Sequence, residues 1–126
     1  MLDGNTDLTD RILSCAIEVH RVLGPGLPEA ACETALCIEL QLRGISFERQ
    51  RGFSVYYKGH HISQHRPDLI VANQVVVEVK SIERFAPVHH AQMLTYLRVA
   101  SLKVGLILNF NGATMKEGMR RVVLKA

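Results

Sequence analysis

The sequence predicts an α/β (α+β) domain with a mixed central sheet flanked by helices. Three observations predict it. Two helical stretches come first, three or four strand-like stretches follow, and then come a helix, a strand and a strand. The stretch 67–80, PDLIVANQVVVEVK, is dense in β-branched residues and reads as two strands of a hairpin. The run 103–110, KVGLILNF, is apolar without alternation, as a strand covered on both faces is.

Taken in order, residues 8–23 place Ile12, Leu13, Ala16, Ile17, Val19, Val22 and Leu23 at helical spacing and leave one wet face. Asp7 or Thr9 can cap this helix, and Gly24-Pro25-Gly26 stops it. Pro28 suits a first turn, where its missing N–H costs nothing, so a second helix is predicted over 28–43 with Gly44 as its C-cap. Glu29 and Glu33 lie four apart on one face of it. Acidic residues near a helix start complement its dipole, and Glu33 is read in that way.

Stretches 45–49 and 53–58 alternate as strands, with turns at Arg51-Gly52 and Lys58-Gly59-His60. The histidine-rich stretch 60–66 reads as a solvated, weakly basic loop, because acidic partners for a metal would have to come from elsewhere. With Arg49, Arg51 and Lys58 it can form a basic rim for a phosphate backbone.

In the hairpin, Asn73 and Gln74 make the turn. Side chains alternate along a strand, so Glu78 and Lys80 point one way while Val77 and Val79 point the other. Pairing brings the start of the first strand to the end of the second, setting Asp68 beside Glu78 and Lys80. Buried charges are costly unless paired or metal-bound. Two converging carboxylates suit a hard divalent cation that prefers oxygen ligands.

Residues 89–100 are predicted helical, with Gln92 and Tyr96 one turn apart on one face and Met93, Leu94 and Leu97 on the apolar one. Asn111-Gly112 is a turn, and 120–124 is a short last strand at an edge. The length of 126 residues suits one domain with a real core. Apolar content of 48% excludes a disordered chain, and no apolar run approaches the roughly 20 residues of a membrane helix. The polar, acidic residues 1–10 are unlike a signal peptide, which points to a cytoplasmic setting. Cys15, Cys32 and Cys37 are odd in number and lack CxxC spacing, so they read as reduced core residues. A net charge of +3 permits nucleic-acid binding without announcing it.

Pro67-Asp68 followed by Glu78-Val79-Lys80 resembles the PD-(D/E)XK nuclease signature. Gly26-Leu27-Pro28-Glu29 resembles the opening of the GxxExxY proteins, a branch of that superfamily, although Cys32 stands where the motif has tyrosine. Gln92 and Tyr96 match the QxxxY motif of the RecB-like and lambda-exonuclease-like branches. The resemblance spans about residues 8–123 and implies that 1–126 is one restriction-endonuclease-like domain. It also implies a metal-dependent nuclease acting on nucleic acid, DNA before RNA. The chain is nearly all core, with little left over to grip a long duplex, which suits a homodimer or guidance by a partner protein. Under that resemblance Asp68, Glu78, Glu29 and the carbonyl of Val79 ligate Mg²⁺, with Mn²⁺ as a substitute. Lys80 acts on the attacking water or the transition state, and Gln92 and Tyr96 position the phosphate or the metal shell. The competing reading is a nucleic-acid-binding or assembly module that keeps the fold without turnover. A bare Asp68–Lys80 ion pair would leave Glu78 unexplained.

Overall fold

The computed structural model describes residues 6–125, so part of the polar N-terminal stretch lies outside the described residues. Helices α1 (Thr6–Leu23) and α2 (Glu29–Leu42) come first, followed by strands β1 (Phe47–Arg49), β2 (Phe53–Tyr57) and β3 (His60–His65). Then come β4 (Leu69–Val71), β5 (Val75–Lys80), α3 (Pro87–Ala100), β6 (Val104–Asn109), α4 (Met115–Gly118) and β7 (Met119–Val123). Five strands form one sheet in the order β1-β4-β5-β6-β7, with β2 and β3 pairing separately. β5 and β6 are parallel and the other neighbours antiparallel, so the sheet is mixed, as predicted. Among the described residues no helix is long and apolar enough to cross a membrane.

Alternation along β5 distributes the core. Val75, Val77 and Val79 pack with Leu69, Leu106 and Leu108 under α1 and α2. Val76 faces α3, with Ile107, Met93, Tyr96 and Leu97. The three cysteines are free and lie buried in the layer between α1, α2 and the sheet. Burial pushes their thiols up, so they are poor nucleophiles. Helix α2 ends in a Schellman motif: Gly44, at φ 70°, donates to the Gln41 carbonyl at 3.0 Å and Ile45 to that of Leu40 at 2.9 Å.

Several local expectations change. Asp7 and Thr9 lie inside α1 rather than capping it. Pro28 is the N-cap of α2, extended at φ −66° and ψ 157°. The hairpin turn centres on Ala72 and Asn73, both with positive φ, and Gln74 donates to the Val71 carbonyl at 2.9 Å. Stretch 60–66 contains strand β3, registered against β2 from Phe53↔His65 to Tyr57↔His60. A hairpin exposed for most of its length needs no apolar alternation, and this hid the strand. Helix α4, capped by Thr114 Oγ1 accepting from Glu117 N–H at 3.2 Å, is too short for a periodic signal.

Gly105 lets α3 approach β6, since a Cβ there would collide with the buried Met93 side chain. Gly105→Ala is expected to cost about 1–3 kcal/mol, the usual scale of overpacking. In chemical denaturation, Gly105→Ala/Met93→Ala should lose less than the sum of the single variants, because the collision is gone. Additive losses would mean that this contact does not set the spacing of the helix and the sheet.

Candidate functional site

The register Leu69↔Val77 extends naturally to set Asp68 across from Glu78. There the main-chain ladder between β4 and β5 gives way to side chains. Glu78 Oε2 accepts the Asp68 backbone N–H at 2.6 Å, and Asp68 Oδ2 accepts the Val79 N–H at 2.8 Å. Each carboxylate thus takes a donor from the opposite strand, which fixes both acids at one end of the sheet. On its other side Asp68 keeps a strand contact, its carbonyl accepting from Gln50 N–H at 3.0 Å. Lys80, two residues beyond Glu78 and on the same strand face, brings Nζ within 3.8 Å of Glu78 Oε1.

The electrostatics follow from this enclosure. Glu78 is 5% exposed. Burial first, and then the charge of Asp68, push its carboxyl from 4.5 up to about 8, against the opposing pull of the Asp68 N–H and Lys80. Burial, with a smaller contribution from Glu33, also raises Asp68, against the Val79 N–H, Gln50 and Lys80. A carboxyl whose folded pKa exceeds its unfolded one stabilises the fold fully below the unfolded value. That contribution is lost as pH rises through the folded value. The metal-free protein should therefore melt at progressively lower temperature between about pH 5 and pH 9, and Glu78→Gln should flatten the slope. Parallel pH profiles for the two proteins would contradict this electrostatic picture.

The helices contribute unequally. Glu29 is exposed, and its Oε2 accepts the Ser81 N–H at 3.2 Å, just past Lys80. Glu33, read from the sequence as a complement to the helix dipole, instead turns inward and is 8% exposed. Its Oε2 accepts from Arg49 Nε at 3.1 Å and Nη2 at 3.0 Å. Gln50 Nε2 bridges it to the site, 3.5 Å from Glu33 Oε2 and 3.4 Å from Asp68 Oδ1. Helical spacing put both glutamates on one face but could not say which reached the sheet. Cys32, at the tyrosine position of GxxExxY, is core, with Sγ 3.9 Å from the Leu27 carbonyl.

Tyr96 is buried, and its hydroxyl is pushed up to about 12 by burial first and then by the charges of Glu78 and Asp68. Gln92 is exposed, one turn before Tyr96 in α3. Leu97 is buried and Leu94 partly so, both on the side of α3 that packs on the sheet. Asn109, which an apolar strand gave no reason to single out, clamps the loop leaving β5 by bonding Ile82 N–H at 3.0 Å and its carbonyl at 2.9 Å.

The sequence profile of the PD-(D/E)XK nuclease superfamily matches residues 6–122. The chain belongs to the PD-(D/E)XK nuclease superfamily. No curated protein matches it. Among solved structures, the crystal structure of SSO0001 superposes with a TM-score of 0.53 at 15% identity, covering 94% of this chain and 78% of that one. A likeness at that identity is one of fold. Superfamily nucleases typically use divalent metals, and the donor chemistry here fits one. Asp68 and Glu78 are oxygen donors held together, and the raised affinity of Glu78 for a proton, due to burial first and then to the charge of Asp68, includes a negative charge that a cation would offset. The geometry is not a finished cage. Among the described residues no three Asp, Glu, His or Cys side chains are grouped so as to hold a metal, and Glu29 does not join Asp68 and Glu78 in such a group.

Proposed function

We propose that this chain is a divalent-metal-dependent nuclease of the GxxExxY family and the RecB-like QxxxY branch, hydrolysing phosphodiester bonds of nucleic acid. The observation that carries the reading is the reciprocal pairing of Asp68 and Glu78, each accepting a backbone N–H of the other's strand, with Lys80 alongside. Asp68 and Glu78 are the protein side chains that would hold the cation, with the Val79 carbonyl as a further oxygen. A bound Mg²⁺ or Mn²⁺ would lower the pKa of a water and offset charge on the phosphate. Lys80 holds its ammonium where negative charge grows in the transition state. Glu29 orients the segment after β5 through Ser81, and would reach a bound cation directly or through water. Tyr96, whose hydroxyl feels the charges of Glu78 and Asp68, adjoins the site from α3, and Gln92, exposed one turn earlier on that helix, is assigned to positioning the metal shell or the scissile phosphate.

A second reading, a binding or assembly module that keeps the fold without turnover, is favoured by the absence of a three-ligand group among the described residues. Incubation with DNA and RNA, each single- and double-stranded, in Mg²⁺ or Mn²⁺ separates the two. Metal-dependent cleavage that EDTA abolishes is the expected outcome. Metal binding with no cleavage of any of the four substrates would favour the module.

A further inference from the structure

The β2–β3 hairpin is inserted between β1 and β4, and both of its ends arrive at the candidate site. Gln50, before β2, bonds Asp68 Oδ1 at 3.4 Å, and Asp68 itself follows β3. His65 packs edge-on against Tyr96, with ring centroids 6.0 Å apart. Strand β2 also lies against α3, while the hairpin is a sheet of its own, unpaired with the five-stranded one. Its tip, Lys58-Gly59, has φ of 47° and 83°, positive at both central positions as a tight hairpin turn requires.

The composition of this element is unlike that of a structural strap. Tyr56 and Tyr57 are 63% and 60% exposed, although large aromatic side chains ordinarily supply core area. They are two of the three tyrosines of a chain without tryptophan. From residue 50 to 67 there is no Asp or Glu, while Arg51, Lys58, Arg66 and three histidines are present. Arg51 pairs with Glu48 at 3.2 Å, whereas Lys58 and Arg66 have no ion-pair partner among the described residues. Lys58 Nζ lies over the Tyr57 ring, 5.3 Å from its centroid, so one ring face carries a cation and the other is left for a base, while Tyr56 meets His61 edge-on with centroids 5.5 Å apart.

We propose that the β2–β3 hairpin binds single-stranded nucleic acid, stacking unpaired bases on Tyr56 and Tyr57, which alternation sets on opposite faces of β2, while Lys58 at the tip and Arg66 at the base hold phosphates of the strand. The proposal rests on the nuclease reading for the identity of the strand, and makes the substrate one with an unpaired segment. Stacking needs free base faces, which a duplex hides and a single strand offers, and an acid-free basic ribbon suits its backbone. Because the base of the hairpin adjoins Asp68 and Tyr96, a strand held at the tip leads to the carboxylates.

The test is fluorescence anisotropy of a labelled single-stranded oligonucleotide and of its duplex, in EDTA. Tyr56→Ala/Tyr57→Ala should weaken single-strand binding about tenfold or more, since one stacked base is worth about 1–3 kcal/mol. Duplex binding should change much less. Tyr56→Phe/Tyr57→Phe, which keeps the ring faces, should restore single-strand binding and so exclude a collapsed hairpin as the cause. Unchanged single-strand binding in the alanine variant, an equal loss on duplex, or no binding by the wild type overturns the proposal. If the alanine variant binds and cleaves as the wild type does, the hairpin role falls and the nuclease reading stands. If nothing is cleaved but tyrosine-dependent binding is seen, the nuclease reading falls and the hairpin role stands.

Discussion

Asp68→Ala is expected to abolish nucleic-acid cleavage and to weaken Mg²⁺ binding by more than the roughly 10–100-fold that the loss of an outer-shell partner costs. The reason is positional. Asp68 is held by the Val79 N–H at 2.8 Å and supplies the largest neighbouring charge acting on Glu78. Its removal leaves one strand carboxylate, too little negative charge to draw a dication from water. The fold should survive, because two effects oppose each other. The Val79 N–H loses its acceptor, at about 1–3 kcal/mol, while Glu78 is relieved of a like charge. Asp68→Asn keeps an acceptor for Val79 and removes only the charge, so it should lose metal and cleavage with a melting temperature at or above that of the wild type. Titration calorimetry, a cleavage assay and a thermal melt of both variants check this. Cleavage by Asp68→Asn at a tenth of the wild-type rate or better would mean that the charge of Asp68 is not needed.

Lys80→Ala fails in a different way. Its ammonium lies 3.8 Å from Glu78 Oε1, close enough to lower the charge of the site yet beyond a hydrogen bond. Removing it takes a like charge away from an incoming cation, so metal affinity should hold or rise. The rate of cleavage should fall by about two orders of magnitude or more, the scale of losing one transition-state donor. Calorimetry and single-turnover cleavage measured on the same preparation separate the two steps. If Lys80→Ala loses metal binding as fully as Asp68→Ala does, Lys80 serves the assembly of the site rather than its chemistry.

The central hairpin was legible because its signal is local. β-Branched residues crowd 69–71 and 75–79, and a charge on a buried strand marks itself as an exception. Alternation then told which way Glu78 points, and antiparallel pairing told what lies opposite. Which α2 glutamate nears the carboxylates was not legible, since it depends on how the helix is rotated over the sheet. Both Glu29 and Glu33 occupy the face toward the site, but only Glu33 is bridged to Asp68 by Gln50. Gln92 and Tyr96 share a helix face by spacing, yet one is exposed and the other packs with Val76, Met93, Leu97 and Ile107, because spacing along a helix does not report what packs over each turn. The strand at 60–65 was hidden for a related reason. With little core to face, its histidines and Gln64 show no apolar period.

Anomalous diffraction from crystals soaked in Mn²⁺ tests the account most directly. A Mn²⁺ peak bounded by the Asp68 and Glu78 carboxylates in the wild type, and absent from that place in Asp68→Ala, is the predicted result. A peak at His60, His61 or any other group, with the Asp68–Glu78 end bare at Mn²⁺ concentrations that support cleavage, would contradict it.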